Sequence, residues 1–333
     1  MSDPANILLI RLKAIGDVLL TLPAATAVRE NFPDARITFL TSQENTTLLR
    51  GFRGVDEVIA LDRAALRSKN PWRVVSHFFH LLRRLRAGRF DLVVDFQGNG
   101  ESSWLTRFTG ARQRWGIFYN PGQGRAYTQK VERLKTIHPA EGNLELLRQC
   151  GLKPGRPKND FVLPADALEA ARKFLTDHRL DPDGRTLFLQ PFTSSPHKNW
   201  PLENFIALAR HWQAEGGQVI FGGGPDDRAA LQPAAAAEFV VSAGVPLLVT
   251  GGLLKLSALA VGGDTGAMHL AVALGRRVVM LMHARLPGSP CPFGNPGWAI
   301  TPSRTTQMSE ISLAAVQAAC DAAINEPAGN ASC

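Results

Sequence analysis

The sequence predicts an α/β protein made of two similar halves, each with a parallel sheet covered by helices on both faces. Short apolar segments rich in β-branched residues alternate with helical segments, 45% of the 333 residues are hydrophobic, and this length suggests two domains. Continuous apolar strands separated by helices are typical of parallel sheets, because such strands are buried on both faces. We therefore expect two Rossmann-like domains.

The first half contains four predicted strands. They are NILLI (6–10), RITFL (36–40), VDEVIAL (55–61) and DLVVDF (91–96). An amphipathic segment follows the first strand up to Phe32, and the helical segment WRVVSHFFHLLRRLRAG precedes the fourth strand.

A Pro/Gly/Lys-rich stretch, KPGRPKND, ends at residue 160 and is suited to a linker. We expect a first domain at 1–160 and a second at 161–333, with the last helix as a candidate to pack back on the first domain. After the linker the pattern restarts as helix ALEAARKFLTDH, strand TLFLQPF, helix PLENFIALARHWQAEGG and strand QVIFGGG. Before Asp264, only LLKLSALA is available as a crossover helix, which is short for a parallel connection. Either the sequence is truncated there or the local architecture differs.

Composition excludes several classes of protein. No apolar run approaches the ~20 residues that span a bilayer, and the amino terminus lacks a signal-peptide pattern. A cytoplasmic protein is expected. The four cysteines lie far apart without a C-x-x-C pair, so free thiols are expected rather than disulfides or a zinc site; they are Cys150, Cys291, Cys320 and Cys333.

The positive charge lies in the first half. Residues 1–160 carry 25 Lys and Arg against 15 Asp and Glu, whereas residues 161–333 carry 12 against 14. The segment from Arg63 to Arg89 contains no acidic residue, and such a charge attracts phosphates or an anionic membrane surface. A solvated helix face is the alternative. Nucleic acid is disfavoured, since no zinc-finger or RNP signature is present.

Ligands of open α/β sheets bind beyond the carboxyl ends of the strands. The first such loop, RLKAIGDVLLTLPA, places Asp17 behind Gly16, with the helix expected to begin around Val18. Asp17 is either an N-cap or, with Arg11 and Lys13 in the same loop, a carboxylate that takes a proton from a substrate hydroxyl.

The second loop is VGGDTGAMHLAVALG. Gly262 and Gly263 precede Asp264, Thr265 and Gly266 at a helix start, where free N–H groups and small residues favour a phosphate or diphosphate. It is not a Walker loop. His269, one turn further, either packs in the core or touches the ligand.

Two further loops follow strands of the second half. In QPFTSSPHKNWP, the hydroxyls of Thr193, Ser194 and Ser195 together with Lys198 suggest contacts to phosphate oxygens. In IFGGGPDDRAALQ, three glycines precede Asp226 and Asp227, but G-x-G-x-x-G is not satisfied, which disfavours a dehydrogenase. An acid there can hydrogen-bond ribose hydroxyls.

The set RLKAIGDVLLTLPA, DFQG, HKNWP, FGGGPDD and GGDTGAMHLAVALG, in this order, resembles the bacterial lipopolysaccharide heptosyltransferases, inverting glycosyltransferases of the GT-B fold. The resemblance spans most of the chain. It implies two facing Rossmann-like domains, with the acceptor bound mainly by the first and the nucleotide sugar by the second. It also implies transfer of a heptose from ADP-L-glycero-D-manno-heptose to the inner core of lipid A, without a metal or another cofactor.

Matched residue by residue, the resemblance implies that Asp17 is the catalytic base and Lys198 contacts the diphosphate. Thr193 and Ser194 match hydroxyl ligands, and Asp227 sits where an acid holds the adenosine ribose. The loop that contacts sugar and phosphate is matched by Asp264, Thr265 and Gly266. Acceptor contacts are expected from the basic residues Arg11, Lys13, Arg63, Arg67 and Lys69, because a phosphorylated lipid A core is anionic and lies on the inner membrane. Peripheral association with that membrane is an option. The segment HARLPGSPCPFG departs from the family pattern.

Other functions remain open on the sequence alone. A GT-B sugar-nucleotide epimerase would share the fold and the phosphate sites but needs further acid/base residues. A glycosyltransferase with a different nucleotide sugar, a non-catalytic anion-binding protein and a nucleic-acid binder are the remaining alternatives.

Overall fold

The computed structural model describes residues 3–67, 69–159 and 161–325. The chain divides into two compact units, Met1–Asp160 and Phe161–Cys333. Cys333, expected to be a free thiol, lies outside the described residues.

The first unit is an alternation of strands and helices. Its strands are β1 Asn6–Ile10, β2 Arg36–Ser42, β3 Glu57–Leu61, β4 Leu92–Asp95, β5 Gln113–Phe118 and β6 Gln129–Glu132. Its helices are α1 Ile15–Leu19, α2 Leu22–Asn31, α3 Arg63–Leu66, α4 Pro71–Ala87, α5 Gly100–Thr109, α6 Pro121–Gly124 and α7 Pro139–Gln149. The four predicted strands are confirmed, while β5 and β6 were not predicted.

The second unit repeats this pattern. Its strands are β7 Thr186–Gln190, β8 Gln218–Phe221, β9 Val240–Val241, β10 Leu259–Gly263, β11 Val278–Leu281 and β12 Ala299–Ile300. Its helices are α8 Ala165–Asp177, α9 Leu202–Ala214, α10 Gln232–Ala236, α11 Leu247–Leu256, α12 Gly266–Ala273 and α13 Leu313–Asn325. From α13, Val316 and Cys320 are buried in this unit's own hydrophobic core.

Both sheets are wholly parallel and have the same strand order. The first is β3-β2-β1-β4-β5-β6, and the second, from its other edge, is β9-β8-β7-β10-β11-β12. Each unit therefore has the doubly wound order 3-2-1-4-5-6, in which winding reverses between the first and fourth strands. The reversal lies between β1 and β4 in one sheet and between β7 and β10 in the other, and ligands bind at such switch points.

Strands β1 and β7, one at the centre of each sheet, are almost wholly buried, as predicted from their continuous apolar sequences. Ile7, Leu8, Leu9 and Ile10 of β1 have no exposed surface, and all five residues of β7 are buried. Because these strands are buried on both faces, their residues are almost all apolar, and the polar residues lie in the loops beyond the carboxyl ends.

The crossover helix before Asp264 is longer than expected from the sequence. It is α11, which begins at Leu247 and runs through Gly251 and Gly252, so that β10 follows with a full five residues. A Cβ on Gly252 would lie 2.5 Å from the Cβ of Ala171 in α8. Gly252 lets α11 and α8 pack closely, while Gly251 lies against Leu163 and Leu270. The helix continues through both glycines, so of the two alternatives that the sequence left open, a truncation before Asp264 is wrong.

Candidate active site

Asp17 lies in the first turn of α1. The helix begins at Ile15, so Asp17 is its third residue, and the predicted start at Val18 is wrong. Its Oδ2 accepts a hydrogen bond of 3.2 Å from the backbone N–H of Ala14. An acid at this position interacts favourably with the free N–H groups of the helix start. The side chain is 39% exposed.

Arg11 holds the same oxygen atom from the core side. Its Nη2 lies 2.8 Å from Asp17 Oδ2, and its side chain is 5% exposed. The Nη1 donates to the carbonyl of Phe96, directly after β4, and the buried Nε has no partner among the described residues. Both polar contacts of the Asp17 carboxylate are made by Oδ2, so within the described ranges Oδ1 has no protein partner.

The DFQG loop after β4 supports the Asp17 loop. The side-chain Oε1 of Gln97 accepts from the backbone N–H groups of Leu12 and Lys13, at 3.1 and 3.2 Å. Gly98 has φ +70°, and a Cβ there would lie 2.3 Å from the carbonyl oxygen of Ile117. Only glycine fits this position. The two loops at the first switch point thus form one hydrogen-bonded structure.

Asp95, which begins the DFQG loop, is fully buried. Its Oδ1 accepts from the N–H groups of Gln97 and Gly98, and its Oδ2 accepts from the Tyr127 hydroxyl at 2.6 Å. Burial raises the pKa of Asp95, against the lowering effect of these hydrogen bonds. Burial and the neighbouring Asp95 carboxyl also raise the pKa of Tyr127, which keeps its hydroxyl protonated as a donor.

In the second unit, Asp264 follows β10 and is held by His269. The Nε2 of His269 lies 3.0 Å from Asp264 Oδ1, and the two side chains are 5% and 21% exposed. Burial alone raises the pKa of Asp264, but the hydrogen bond with His269 and the charges of His269, Lys198 and His283 hold that pKa below its usual value. His269 is therefore packed beneath the loop, one of the two alternatives that the sequence allowed.

Thr265 and Gly266 form the start of α12. The Thr265 Oγ1 accepts from the backbone N–H of Met268, at 3.4 Å, which caps the helix. The two glycines before Asp264 bring this loop against the neighbouring one, since a Cβ on Gly263 would lie 2.4 Å from Thr193 Cγ2. The helix start and the loop after β7 consequently lie side by side at the second switch point.

The loop after β7 is closed by Asn199. Its Oδ1 accepts from the Thr193 backbone N–H at 2.8 Å and lies 2.9 Å from the Thr193 hydroxyl. Ser194 is exposed, and Lys198 ends the short turn Pro196–Lys198. The positive charge of Lys198 acts on Asp264 and helps to lower the pKa of His283, after the larger effect of burial.

Asp227 closes the glycine-rich loop after β8. Its Oδ2 accepts from the backbone N–H of Gly224 at 2.7 Å, within the turn Pro225–Asp227. A Cβ on Gly222 would lie 2.3 Å from the Phe188 ring, so glycine is needed for this loop to pass over β7. Asp226 is exposed.

The basic residues expected to bind the acceptor have different surroundings. Arg11 is buried and forms an ion pair with Asp17. Arg63 donates from Nε to Ser42 Oγ at 2.8 Å and pairs through Nη2 with Glu101 at 2.7 Å. Lys13, Arg67 and Lys69 are exposed. Of these residues, only Arg11 is paired with Asp17 within the described ranges.

Sequence reasoning missed several residues that build these loops. They are Asp95, Gln97, Tyr127, Asn199 and His283. The motifs DFQG and HKNW contained three of them, but Gln97 and Asp95 have partners that are distant along the chain, Leu12 and Tyr127. His283 lies in the segment that departs from the family pattern, and its ring meets that of His197 edge-on at 5.8 Å.

The cysteines and the possible metal ligands form no further candidate site within the described ranges. Cys150, Cys291 and Cys320 are buried and form no disulfide, and burial raises the pKa of Cys150 and Cys320 to about 12. Within residues 3–67, 69–159 and 161–325, no group of three His, Cys, Asp or Glu side chains is placed to hold a metal ion. Each helix in the described part of the chain is too short or too polar to span a bilayer.

Comparison with known proteins identifies the family. The chain is 24% identical over 279 residues to lipopolysaccharide heptosyltransferase 3 of Escherichia coli, covering 81% of each chain. The crystal structure of a family 9 glycosyl transferase from Veillonella parvula superposes with a TM-score of 0.85 at 22% identity, covering 97% of this chain and 98% of that one.

An Escherichia coli heptosyltransferase solved with ADP-2-deoxy-2-fluoro heptose has a TM-score of 0.75 at 23% identity, covering 95% of this chain and 99% of that one. The two parallel sheets match those of GT-B heptosyltransferases, which confirms the predicted fold class. The model of glycosyltransferase family 9 (heptosyltransferase) matches residues 78–300. Since this match covers more than half of the chain, the protein belongs to glycosyltransferase family 9 (heptosyltransferase) and is a glycosyltransferase.

Proposed function

We propose that this glycosyltransferase transfers a heptose from ADP-L-glycero-D-manno-heptose to the inner core of lipopolysaccharide, with inversion at the anomeric carbon and Asp17 as general base. The observation that carries the proposal is the state of the Asp17 carboxylate. Arg11 and the Ala14 N–H hold Oδ2, while Oδ1 is left without a partner among the described residues at a switch point of the sheet. The family match begins at residue 78, so the role of Asp17 rests on this geometry and on the resemblance of the loop RLKAIGDVLLTLPA to the family.

The proposed reaction is a single displacement. Oδ1 of Asp17 takes the proton of an acceptor hydroxyl while that oxygen bonds to the anomeric carbon, and the bond from this carbon to the ADP oxygen breaks on the opposite face. The bonding electrons leave with ADP. General base catalysis by a positioned carboxylate suits such a hydroxyl nucleophile.

In this proposal the second unit binds the donor and the first binds the acceptor. Lys198 and the N-terminus of α12, with Thr265 and Gly266, stabilise the charge that develops on the diphosphate. These groups supply positive potential from the protein, so the proposed reaction needs no metal. Thr193, Ser194 and Asp264 would line the diphosphate and sugar, and Asp227 would lie near the ribose.

The donor assignment is supported by the related Escherichia coli heptosyltransferase, which was solved with an ADP-heptose analogue. The acceptor assignment is supported by the relative's name and by the positive charge of residues 1–160. An anionic, membrane-borne core would be attracted to that charge, with Lys13, Arg63, Arg67 and Lys69 as candidate contacts.

The test is ADP release by the purified chain, supplied with ADP-heptose and a soluble lipopolysaccharide core acceptor in the presence of EDTA. Release that requires the acceptor supports the proposal. Release of ADP without an acceptor, or interconversion of the sugar nucleotide alone, would contradict transfer and favour a hydrolase or an epimerase. A panel of other ADP-sugars and UDP-sugars tests the donor, since equal rates would contradict the assignment to heptose.

A further inference from the structure

Helix α4 exposes an apolar stripe to solvent. Trp72, Val75 and Phe79 are 81%, 59% and 67% exposed, and they recur at i, i+3 and i+7, so they lie along one side of the helix. The opposite side is anchored, because Leu81 and Leu85 are buried in the core of the first unit. The exposure therefore belongs to a folded helix with a fixed inner face.

The start of α4 is also well ordered by its own residues. Pro71 is its first residue, and the Asn70 side chain accepts from the N–H groups of Trp72 and Arg73, at 3.0 and 3.4 Å. Both features are typical of a defined helix start. Trp72 is thus held outward by a capped helix.

The apolar surface continues onto α5. The Phe78 ring stacks on Trp104 at 5.4 Å between centroids, and Trp104 stacks on Phe108 at 5.3 Å. Trp104 is itself 46% exposed. Beside these rings, Leu61, Leu66 and Leu105 help to line an apolar cavity of about 330 Å³. Contiguous exposed apolar surface of this kind marks an interaction site rather than a solvated face.

The rim of this surface is positively charged. Arg73, Arg83, Arg84 and Arg86 lie on α4, and no acidic residue occurs between Arg63 and Arg89. Arg84 pairs with Glu57, but no carboxylate of the described residues pairs with Arg73 or Arg83. An amphipathic helix with aromatic residues on one side and arginines beside them is suited to the interface of an anionic bilayer.

We propose that α4 and the adjoining Trp104 form a membrane-docking surface that inserts Trp72, Val75 and Phe79 among the headgroups of anionic lipids. Charge complementarity favours a lipid surface over a second copy of the chain, because a two-fold contact would bring two arginine-rich helices together. The inference draws on the proposed function in one respect, since a membrane-borne acceptor is what docking would bring within reach.

The experiment is co-sedimentation of the full chain with vesicles of phosphatidylglycerol in phosphatidylcholine, and with vesicles of phosphatidylcholine alone. We expect binding to the anionic vesicles that weakens at high salt, since surface charge attraction is screened. The double variant Trp72→Ser/Phe79→Ser should bind at least about tenfold more weakly, because it loses two large apolar groups. Arg73→Gln/Arg83→Gln should weaken binding by about fivefold per arginine.

Matched controls lie in the second unit. Leu286→Ser removes an equally exposed apolar side chain, 67% exposed, and Arg210→Gln removes an exposed arginine; both should bind vesicles as the wild type does. Circular dichroism confirms folding of each variant.

Vesicle binding uses no donor, so its result is independent of the transfer reaction, and turnover on a soluble acceptor should be unchanged in the Trp72/Phe79 variant. The inference is overturned if the wild type does not bind anionic vesicles, or if the double variant binds them as strongly as the wild type does. It is also overturned if sedimentation velocity shows a dimer that the double variant abolishes.

Discussion

The guanidinium of Arg11 links Asp17 to the residue that follows β4: its Nη2 lies 2.8 Å from Asp17 Oδ2, while its Nη1 donates to the carbonyl of Phe96. Arg11 therefore fixes the carboxylate relative to both strands of the first switch point. A lysine at this position would keep the charge but lacks the fork that makes both contacts.

Replacement of Arg11 by lysine should consequently lower kcat by about 10- to 100-fold, since a small displacement of a catalytic group is costly. The KM for the donor should stay near the wild-type value, because Arg11 lies in the first unit. Steady-state kinetics with both substrates measures the two parameters. A large rise of donor KM with unchanged kcat would contradict a positioning role.

Removing the base itself should have a larger effect. For Asp17→Asn we expect kcat to fall by about 10²- to 10⁴-fold, the usual contribution of general acid–base catalysis. Binding of ADP-heptose, measured by calorimetry, should be nearly unchanged. Asp34→Asn is the control, as Asp34 is an exposed acid of the same unit. Parallel loss of binding and turnover in Asp17→Asn would argue against the base assignment.

Lys198 should act on the donor side. We expect Lys198→Gln to lower kcat/KM for the sugar nucleotide by about 100-fold, because it removes one charged group from the proposed diphosphate site. Lys173→Gln is a matched control, since Lys173 makes a surface ion pair with Asp177. Equal kinetics of the two variants would exclude Lys198 from the site.

Asp95 and Asp264 should affect stability with opposite dependence on pH. Because the folded-state pKa of Asp264 is lowered, its contribution is present above the unfolded value, near 3.8, and is lost as pH falls through the lower folded value. The folded-state pKa of Asp95 is raised, so that side chain destabilises the fold progressively as pH rises above about 3.8.

Melting temperatures of Asp95→Asn and Asp264→Asn between about pH 3 and pH 7 test these signs. Relative to the wild type, Asp95→Asn should gain stability as pH rises, since an amide oxygen can still accept hydrogen bonds without the charge. Asp264→Asn should lose stability relative to the wild type over the same rise. Parallel curves for both variants would refute the assignment.

The contact between α11 and α8 gives a prediction about folding. Gly252→Ala places a methyl group 2.5 Å from Ala171 Cβ and 2.8 Å from the Ala167 carbonyl oxygen, so one helix must move. We expect a loss of about 1–3 kcal/mol in the free energy of unfolding, measured by urea denaturation. Gly100→Ala, where no atom lies within 4 Å, should change it by less than about 0.5 kcal/mol.

Much of the fold could be predicted from the sequence, because the sequences of the buried central strands are continuous apolar runs. NILLI is β1 without a shift at either end, and the motif loops fall at the carboxyl ends of strands as expected. What failed depends on distant partners. Only LLKLSALA was predicted as the crossover helix before Asp264, because α8, against which Gly252 packs, is about 80 residues away in the sequence.

The candidate site was predicted as separate residues but not as a structure. Asp17 was recognised from its local motif, whereas the support of its loop by Gln97 joins residues about 85 positions apart. The two-residue strands β9 and β12 exist only through pairing with β8 and β11, so no local pattern indicates them. The sequence therefore predicts reactive residues from their local motifs, but it does not predict hydrogen bonds between residues that are distant along the chain.

In the strand order 3-2-1-4-5-6, one connection in each sheet runs from the third strand, at the edge, back to the fourth strand, in the middle. In the second unit that return path is α11, whose only exposed residue is Lys255 and which is shielded by α8. In the first unit it includes α4, which leaves aromatic side chains in solvent. The shared strand order thus leaves this connecting helix free to differ between the two units. Such a helix can present a binding surface to solvent while the order of the strands, and the positions of the loops that follow them, stay the same.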